Sequence, residues 1–447
     1  MKMRLFHKKI ILAGIIMAYM FAACVSVPIH LSGAGLTEIV IPETANDGIE
    51  KTEDQETGEG QGLTSNQFQT SSQDEGRPEA VEVEDGHQVR DLKEAPEEVL
   101  NPLTGLPVKN PDNLDLPPAL VSITNFPPTA RPQAGLAFSP IVFELFIGDG
   151  MTRYLALFYG DYPEQVVDPD NKEFIDDMTQ GVPEPAPSVG PIRSGRLPYE
   201  YVRQLYNGFI VMASAYSKVA AQLKDHVNVY GDDQSDPNSA LMPVDELKEI
   251  AQGNKKDLDT FNLTGMHFDL QPPEGKTAHS LWIFYAYKNQ VFWRYKQDDG
   301  AYHRWQDNAD GATFIEQTDR LTGEALSYEN VIVLFADHEI ENRYLIDIDL
   351  LYVKRGKALL FRDETVQDIY WTTASEEYEK TTGRLRPIRF VDAEGNPIAL
   401  KPGQTWIELM PPHLAFWETV DSEVYNQLAA GRKPGSGYWG LYFKVPK

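Results

Sequence analysis

Hydrophobic spacing along this chain changes twice. Ile10 to Ala23 is an unbroken apolar run behind Lys2, Arg4, Lys8 and Lys9. From Val25 to about Leu100, Glu, Asp, Gln, Ser, Thr and Gly dominate, and Phe68 is the one aromatic residue. From Asn101 onward, short apolar runs alternate with turn residues, the pattern of packed strands with occasional helices. Ala119–Thr124 reads as a strand, and residues 140–159 read as two strands around Gly148-Asp149-Gly150. Helical spacing marks 198–206, where Pro198 falls in a first turn that tolerates it. Residues 208–213 predict a strand, and 217–223 and 243–251 predict helices. Two or three strands rich in Trp, Tyr and Phe fill 280–305. Strands follow at 330–335, 344–349, 358–361, 366–372, 386–391 and 405–410, with a last one at 441–445. The expected architecture is an α+β or α/β N-terminal domain at 100–275 and a mostly-β C-terminal domain at 276–447, without internal repeats.

Composition narrows the function classes. The 447 residues allow two or three domains, and 42% apolar with 11% aromatic residues supports large cores. A net charge of −27 repels phosphate backbones, and no basic stripe offsets it, so nucleic acid is excluded as a partner. The single cysteine forbids an intramolecular disulfide and any Cys/His zinc set. The nine histidines show no HExxH pattern, and no metal or cofactor is expected.

A basic head, a short apolar stretch and small residues at its end read as a secretory signal over 1–23. Fourteen helical residues rise about 21 Å, short of a ~30 Å hydrocarbon core. Ala22, Ala23 and Cys24 resemble a bacterial lipoprotein signal, with Phe21 where Leu is usual. That resemblance implies that Cys24 becomes the first mature residue and carries acyl chains. The other reading is an uncleaved signal anchor extended through residues 25–27. Both put the body of the chain outside the cell; the first holds it on the outer face of the cytoplasmic membrane. Residues 24–99 then form a disordered acidic linker, too polar and charged to collapse, with a reach of roughly 45–50 Å.

The motifs Asn101-Pro-Leu-Thr-Gly-Leu-Pro107, Thr129-Ala-Arg-Pro-Gln-Ala-Gly-Leu136, Ile141-Val-Phe-Glu144, Gly150-Met-Thr-Arg153 and Val189-Gly-Pro-Ile-Arg-Ser-Gly-Arg196 stand in order along the first half. Asn330-Val-Ile-Val333 and Gly403-Gln-Thr-Trp-Ile407 follow in the second. Together they resemble the YerB-like lipoprotein family, which pairs an N-terminal and a C-terminal domain of unknown function. The resemblance spans about residues 100–412. This chain departs from it at Thr124, where the family has an acid, at Ser139-Pro140 in place of Ala-Asp, and at Gly148-Asp149-Gly150 in place of Glu-Gly-Gly. The resemblance implies location and architecture and carries no reaction, so catalytic residues are unknown.

Four arginines stand in these motifs, Arg131, Arg153, Arg193 and Arg196, each where a strand is expected to meet a loop. Guanidinium forks suit carboxylates and phosphates, and ligand sites often form at strand ends. Asn125, Gln133, Thr152 and Ser194 could add neutral contacts, and Gly190 and Gly195 close backbone approach. One reading is a pocket for an anionic envelope ligand, a phosphate or pyrophosphate head group, in a non-enzymatic binding or accessory protein. The competing reading pairs these arginines internally with Glu144, Asp149 and Glu200. An envelope enzyme acting on a phosphorylated or glycan substrate, and a scaffold for an envelope protein complex, also stay open. Weaker signals are an oxygen-rich loop at 231–238, a Gly-Ser-Gly turn at 435–437, and Asp347 with Asp349 on one strand face. Trp282, Trp293, Tyr302 and Trp305 read as sheet core, with sugar stacking as the alternative.

Overall fold

Runs of consecutive apolar residues become strands buried on both faces. Ala119–Thr124 and Ile141–Gly148 are buried at every position, as strands covered on two sides must be. In this computed structural model the described residues are 98–163, 187–232, 236, 238–255, 261–412, 416–417, 435 and 437–446. The signal, Cys24, the acidic linker up to residue 97, and parts of the 231–238 loop and the 435–437 turn lie outside them. The described residues are mostly β with few helices.

An eleven-stranded mixed sheet runs through the molecule. Its order is Arg389–Val391, Thr365–Thr372, Gly356–Arg362, Asn330–Phe335, Thr405–Met410, Ile141–Gly148, Met151–Phe158, Ala119–Thr124, Phe209–Met212 and His226–Asn228, with Lys276–Thr277 beside Thr365–Thr372. Strands from both halves of the chain therefore share one sheet. The join is parallel, with Val142 opposite Trp406 and Glu144 opposite Glu408. A seven-stranded sheet centred on Ser280–Ala286, Asn289–Lys296 and Ala301–Asp307 packs across one face. Fully buried Trp406 sits at the centre of that contact, edge-on to Tyr154 at 5.1 Å, Tyr328 at 5.2 Å and Trp293 at 5.4 Å. Trp282, Trp293 and Tyr302 are buried in the sheet, as expected, while Trp305 is half-buried.

The Gly148-Asp149-Gly150 turn forms as expected, with all three residues at positive φ. A Cβ at Gly150 would come within 2.6 Å of the Ala286 Cβ, so glycine also lets the two sheets approach here.

On the opposite face of the large sheet lies the helix Leu197–Tyr206. Tyr199, Val202, Leu205 and Tyr206 recur at helical spacing and are fully buried; the Tyr206 ring meets Phe143 edge-on at 5.9 Å. Asn207 ends the helix in the left-handed conformation, and its N–H returns to the Arg203 carbonyl. The hairpin His338–Asn342 and Leu345–Ile348 lies against this helix. Helix Val244–Gly253 matches the expected 243–251, whereas the one expected at 217–223 is only the short turn Ser217–Ala220.

Candidate functional site

The large sheet separates the eight candidate residues into two groups. Thr152 and Arg153 are neighbours on one strand, so their side chains leave opposite faces.

Thr152, Asn125, Arg131 and Gln133 face the second sheet and join a buried polar network. Arg131 donates to the Asn125 Oδ1 at 3.1 Å and to the Asp307 carbonyl at 2.6 Å. Asn125 donates to the Thr152 hydroxyl at 3.0 Å, and that hydroxyl donates to Glu144 at 2.6 Å. Arg304, fully buried, donates to the other Glu144 oxygen at 2.6 Å and to Gln317. Gln317 donates to Gln133 at 2.9 Å, and Gln133 to the Thr124 carbonyl at 3.1 Å. The Arg304 guanidinium also lies over Trp406, 4.6 Å from the ring centroid. Burial opposes its charge, but Glu144 and its other neighbours outweigh burial and raise its pKa. Glu408, opposite Glu144, accepts from the Tyr285 hydroxyl at 2.6 Å and the Trp293 indole at 3.0 Å. Burial, and next the Glu144 charge, push its pKa up to about 8. This network ties the halves together and occupies the polar groups of these four candidates.

Arg153, Arg193, Ser194 and Arg196 gather on the other face, where residues 191–196 lie along the end of Ala119–Thr124. The Thr124 N–H donates to the Pro191 carbonyl at 2.9 Å and the Arg193 N–H to the Ser122 carbonyl at 2.9 Å. Gly195 then pairs with Ala215, and a Cβ there would meet the Met212 sulfur at 2.3 Å. Arg196 caps the start of the Leu197–Tyr206 helix, where the helix dipole disfavours a cation.

Two guanidinium groups here share one acceptor. Arg153 Nη1 donates to the Ser194 carbonyl at 2.8 Å, and Arg196 Nη1 to the same oxygen at 3.3 Å and to the Gly195 carbonyl at 3.0 Å. Their Nε groups are buried and bond nothing among the described residues. Arg153 is only 8% exposed, while Arg193, Ser194 and Arg196 are half-buried. Burial, then the charges of Arg196 and Arg193, push the Arg153 pKa down to about 9. A guanidinium keeps its proton at neutral pH, so Arg153 carries its charge inside this cluster. The three acids expected as internal partners are engaged with other arginines: Glu144 with Arg304, Asp149 with Arg343 at 3.7 Å, Glu200 with Arg203 at 2.7 Å. Arg203, Arg304, Arg362, Arg386 and Arg389 each have a carboxylate within salt-bridge distance. Arg153 and Arg196 have none among the described residues.

Asp347 and Asp349 line an acidic cleft of about 540 Å³ with Asp337, Glu339, Tyr201 and Tyr352. Among the described residues no three His, Cys, Asp or Glu side chains are grouped to hold a metal ion. Sequence reasoning did not single out Arg304 or Glu408. The signal was a charge inside an otherwise apolar strand, as in Thr-Trp-Ile-Glu-Leu-Met at 405–410.

Comparison with known proteins gives two family matches. Residues 103–168 match the N-terminal domain, and residues 281–407 the C-terminal domain, of a protein of unknown function (DUF3048). The chain is 27% identical over 334 residues to "Putative lipoprotein YerB" of Bacillus subtilis (strain 168), covering 69% of this chain and 86% of that protein. It is also similar in fold to the crystal structure of YerB protein from Bacillus subtilis. There the TM-score is 0.53 and the identity 24%, over 70% of this chain and 97% of the other.

Proposed function

From a chain that carries both DUF3048 domains in YerB-like order, we propose a lipid-anchored, extracytoplasmic accessory protein that binds an anion of the cell envelope at Arg153, Arg193, Arg196 and Ser194. The relative's description as a lipoprotein supports the anchor, together with Cys24 directly behind the apolar run 10–23. The membrane is thus one partner and the anionic ligand the other. Residues 24–99 serve as the tether, and 100–275 and 276–447 as the two functional halves of the body.

One observation carries the anion reading: two guanidinium groups rest on a single carbonyl oxygen, with no carboxylate partner among the described residues. Leaving the buried Arg153 cation so poorly compensated costs several kcal/mol unless a ligand supplies the counter-charge. Among the described residues the site offers donors, and we read it as a binding site.

Isothermal titration of the full chain in detergent with inorganic pyrophosphate tests this. Wild type is expected to bind, and Arg196→Ala and Arg153→Ala each to weaken binding tenfold or more. The Arg196→Ala unfolding midpoint should stay within a degree or two of wild type. Absence of pyrophosphate binding to wild type refutes the reading, as does unchanged affinity in both variants.

A further inference from the structure

Tyr216 and Tyr344 form a stacked pair, ring centroids 5.6 Å apart and planes 27° from parallel, yet they remain 38% and 43% exposed. Two tyrosines stacked while this much of each stays open to solvent ask for a reason. Tyr216 follows Ala215, the residue that pairs with Gly195 between Ser194 and Arg196. Tyr344 is an electrostatic neighbour of Arg196. The hairpin carrying Tyr344 is pinned from both sides: Lys218 bonds Glu341 at 3.1 Å, and Arg343 reaches Asp149 at 3.7 Å. Arg343 also bonds the Tyr344 hydroxyl and lies over its ring, 4.6 Å from the centroid. A partly exposed aromatic pair therefore lies beside the cationic group, with the Arg343 guanidinium over the Tyr344 ring.

Building on the anion reading above, we infer that the ligand is a glycosyl phosphate: the phosphate meets Arg153 and Arg196 while the sugar ring lies against Tyr216 and Tyr344. Pyranose rings present axial C–H faces that pack on aromatic rings and hydroxyls that bond amphipathic tips such as Tyr and Arg. A bare phosphate would use the arginines alone, and the stacked rings would add nothing to its affinity.

The test is titration of the full chain in detergent with N-acetylglucosamine 1-phosphate, inorganic phosphate and uridine 5′-monophosphate. Wild type, Arg153→Ala, and the double variant Tyr216→Ala/Tyr344→Ala are compared. The unfolding midpoint of the double variant is measured alongside, and its retained phosphate binding shows that the cationic site still folds. Wild type should bind the sugar phosphate about tenfold more tightly than phosphate, in line with what an aromatic contact adds. The double variant should lose that margin and keep phosphate binding, and Arg153→Ala should lose both. Equal affinity of wild type for sugar phosphate and phosphate overturns this inference and leaves the anion reading standing. Tighter binding of the uridine nucleotide than of the sugar phosphate also overturns it. Failure of wild type to bind any of the three overturns both.

Discussion

Replacing Glu408 by Gln should remove most of a pH dependence of stability that the fold creates. Glu408 and Glu144 face one another on adjacent parallel strands and are both fully buried. Neighbouring strands lie ~4.8 Å apart, and two negative charges ~5 Å apart repel by ~3 kcal/mol at an effective dielectric constant of ~20. The fully buried cation between the sheets, Arg304, is bonded to Glu144. Glu408 therefore stays protonated to about pH 8, against an ordinary value of 4.5, a difference on the order of 5 kcal/mol. In the unfolded chain the group ionises above its ordinary value, while in the fold it holds its proton. The stability it contributes is thus full below pH ~4.5 and declines as pH rises toward about 8. Integrated from pH 5 to pH 9, that decline is ~4 kcal/mol. Gln keeps the volume and an acceptor for the Trp293 indole, and it binds no proton. Urea unfolding of the full chain, followed by tryptophan fluorescence from pH 5 to 9, measures the gap. The Glu408→Gln variant should start near or slightly below wild type at pH 5 and overtake it by about 3 kcal/mol at pH 9. Parallel curves for the two proteins would show that Glu408 ionises normally in the core, and the reasoning would fail.

Two further outcomes follow from buried charge. Arg304→Met takes the counter-charge and one of two donors from Glu144, and a donor from Gln317, in a buried interface, so urea unfolding should show a loss of about 3–5 kcal/mol, and adding Glu144→Leu should restore much of it. Glu379 accepts from Arg386 at 2.7 Å; burial opposes its ionisation, but Arg386 holds its pKa down to about 2. Its contribution is therefore present above pH 4.5 and lost as pH falls through about 2. Glu379→Gln should cost roughly 2 kcal/mol at pH 7, allowing for the exposed Glu376 that shares the cluster, and match wild type in acid unfolding near pH 2.

Local structure was readable wherever one physical rule dominates. The apolar runs at 119–124, 330–335 and 405–410 are strands within a residue of expectation, because a strand covered on both faces has no room for polar alternation. Pro198 and the spacing of Tyr199, Val202 and Tyr206 marked the helix that covers the sheet. The strand His338–Asn342 and the helix Glu377–Thr382 escaped notice because charged residues dominate both; a capping box at Glu376 and Glu379 was the available signal for the helix. Strand order was not legible at all. Nothing in Ile141–Gly148 says that its neighbour is Thr405–Met410, since a parallel ladder is specified by long-range packing such as the Trp406 cluster.

The candidate site was half legible for a related reason. Motif spacing drew Thr152 and Arg153 into one set, although adjacent strand residues cannot face the same side of a sheet. The sheet turns Thr152 toward Glu144, where its hydroxyl is consumed, and Arg153 toward Ser194, where two guanidinium groups compete for one oxygen. Charge balance sharpens that contrast. With 67 acidic residues against 40 basic ones, the chain has carboxylates in excess, and Glu144, Glu200 and Glu379 each hold a buried arginine. Glu200 begins the same helix that Arg196 caps, yet it turns to Arg203 and Gln204. A stability requirement alone would have met Arg153 with such an acid. Its setting against the Ser194 carbonyl, among Arg193 and Arg196 and without a carboxylate partner among the described residues, fits a charge kept for something that arrives from outside.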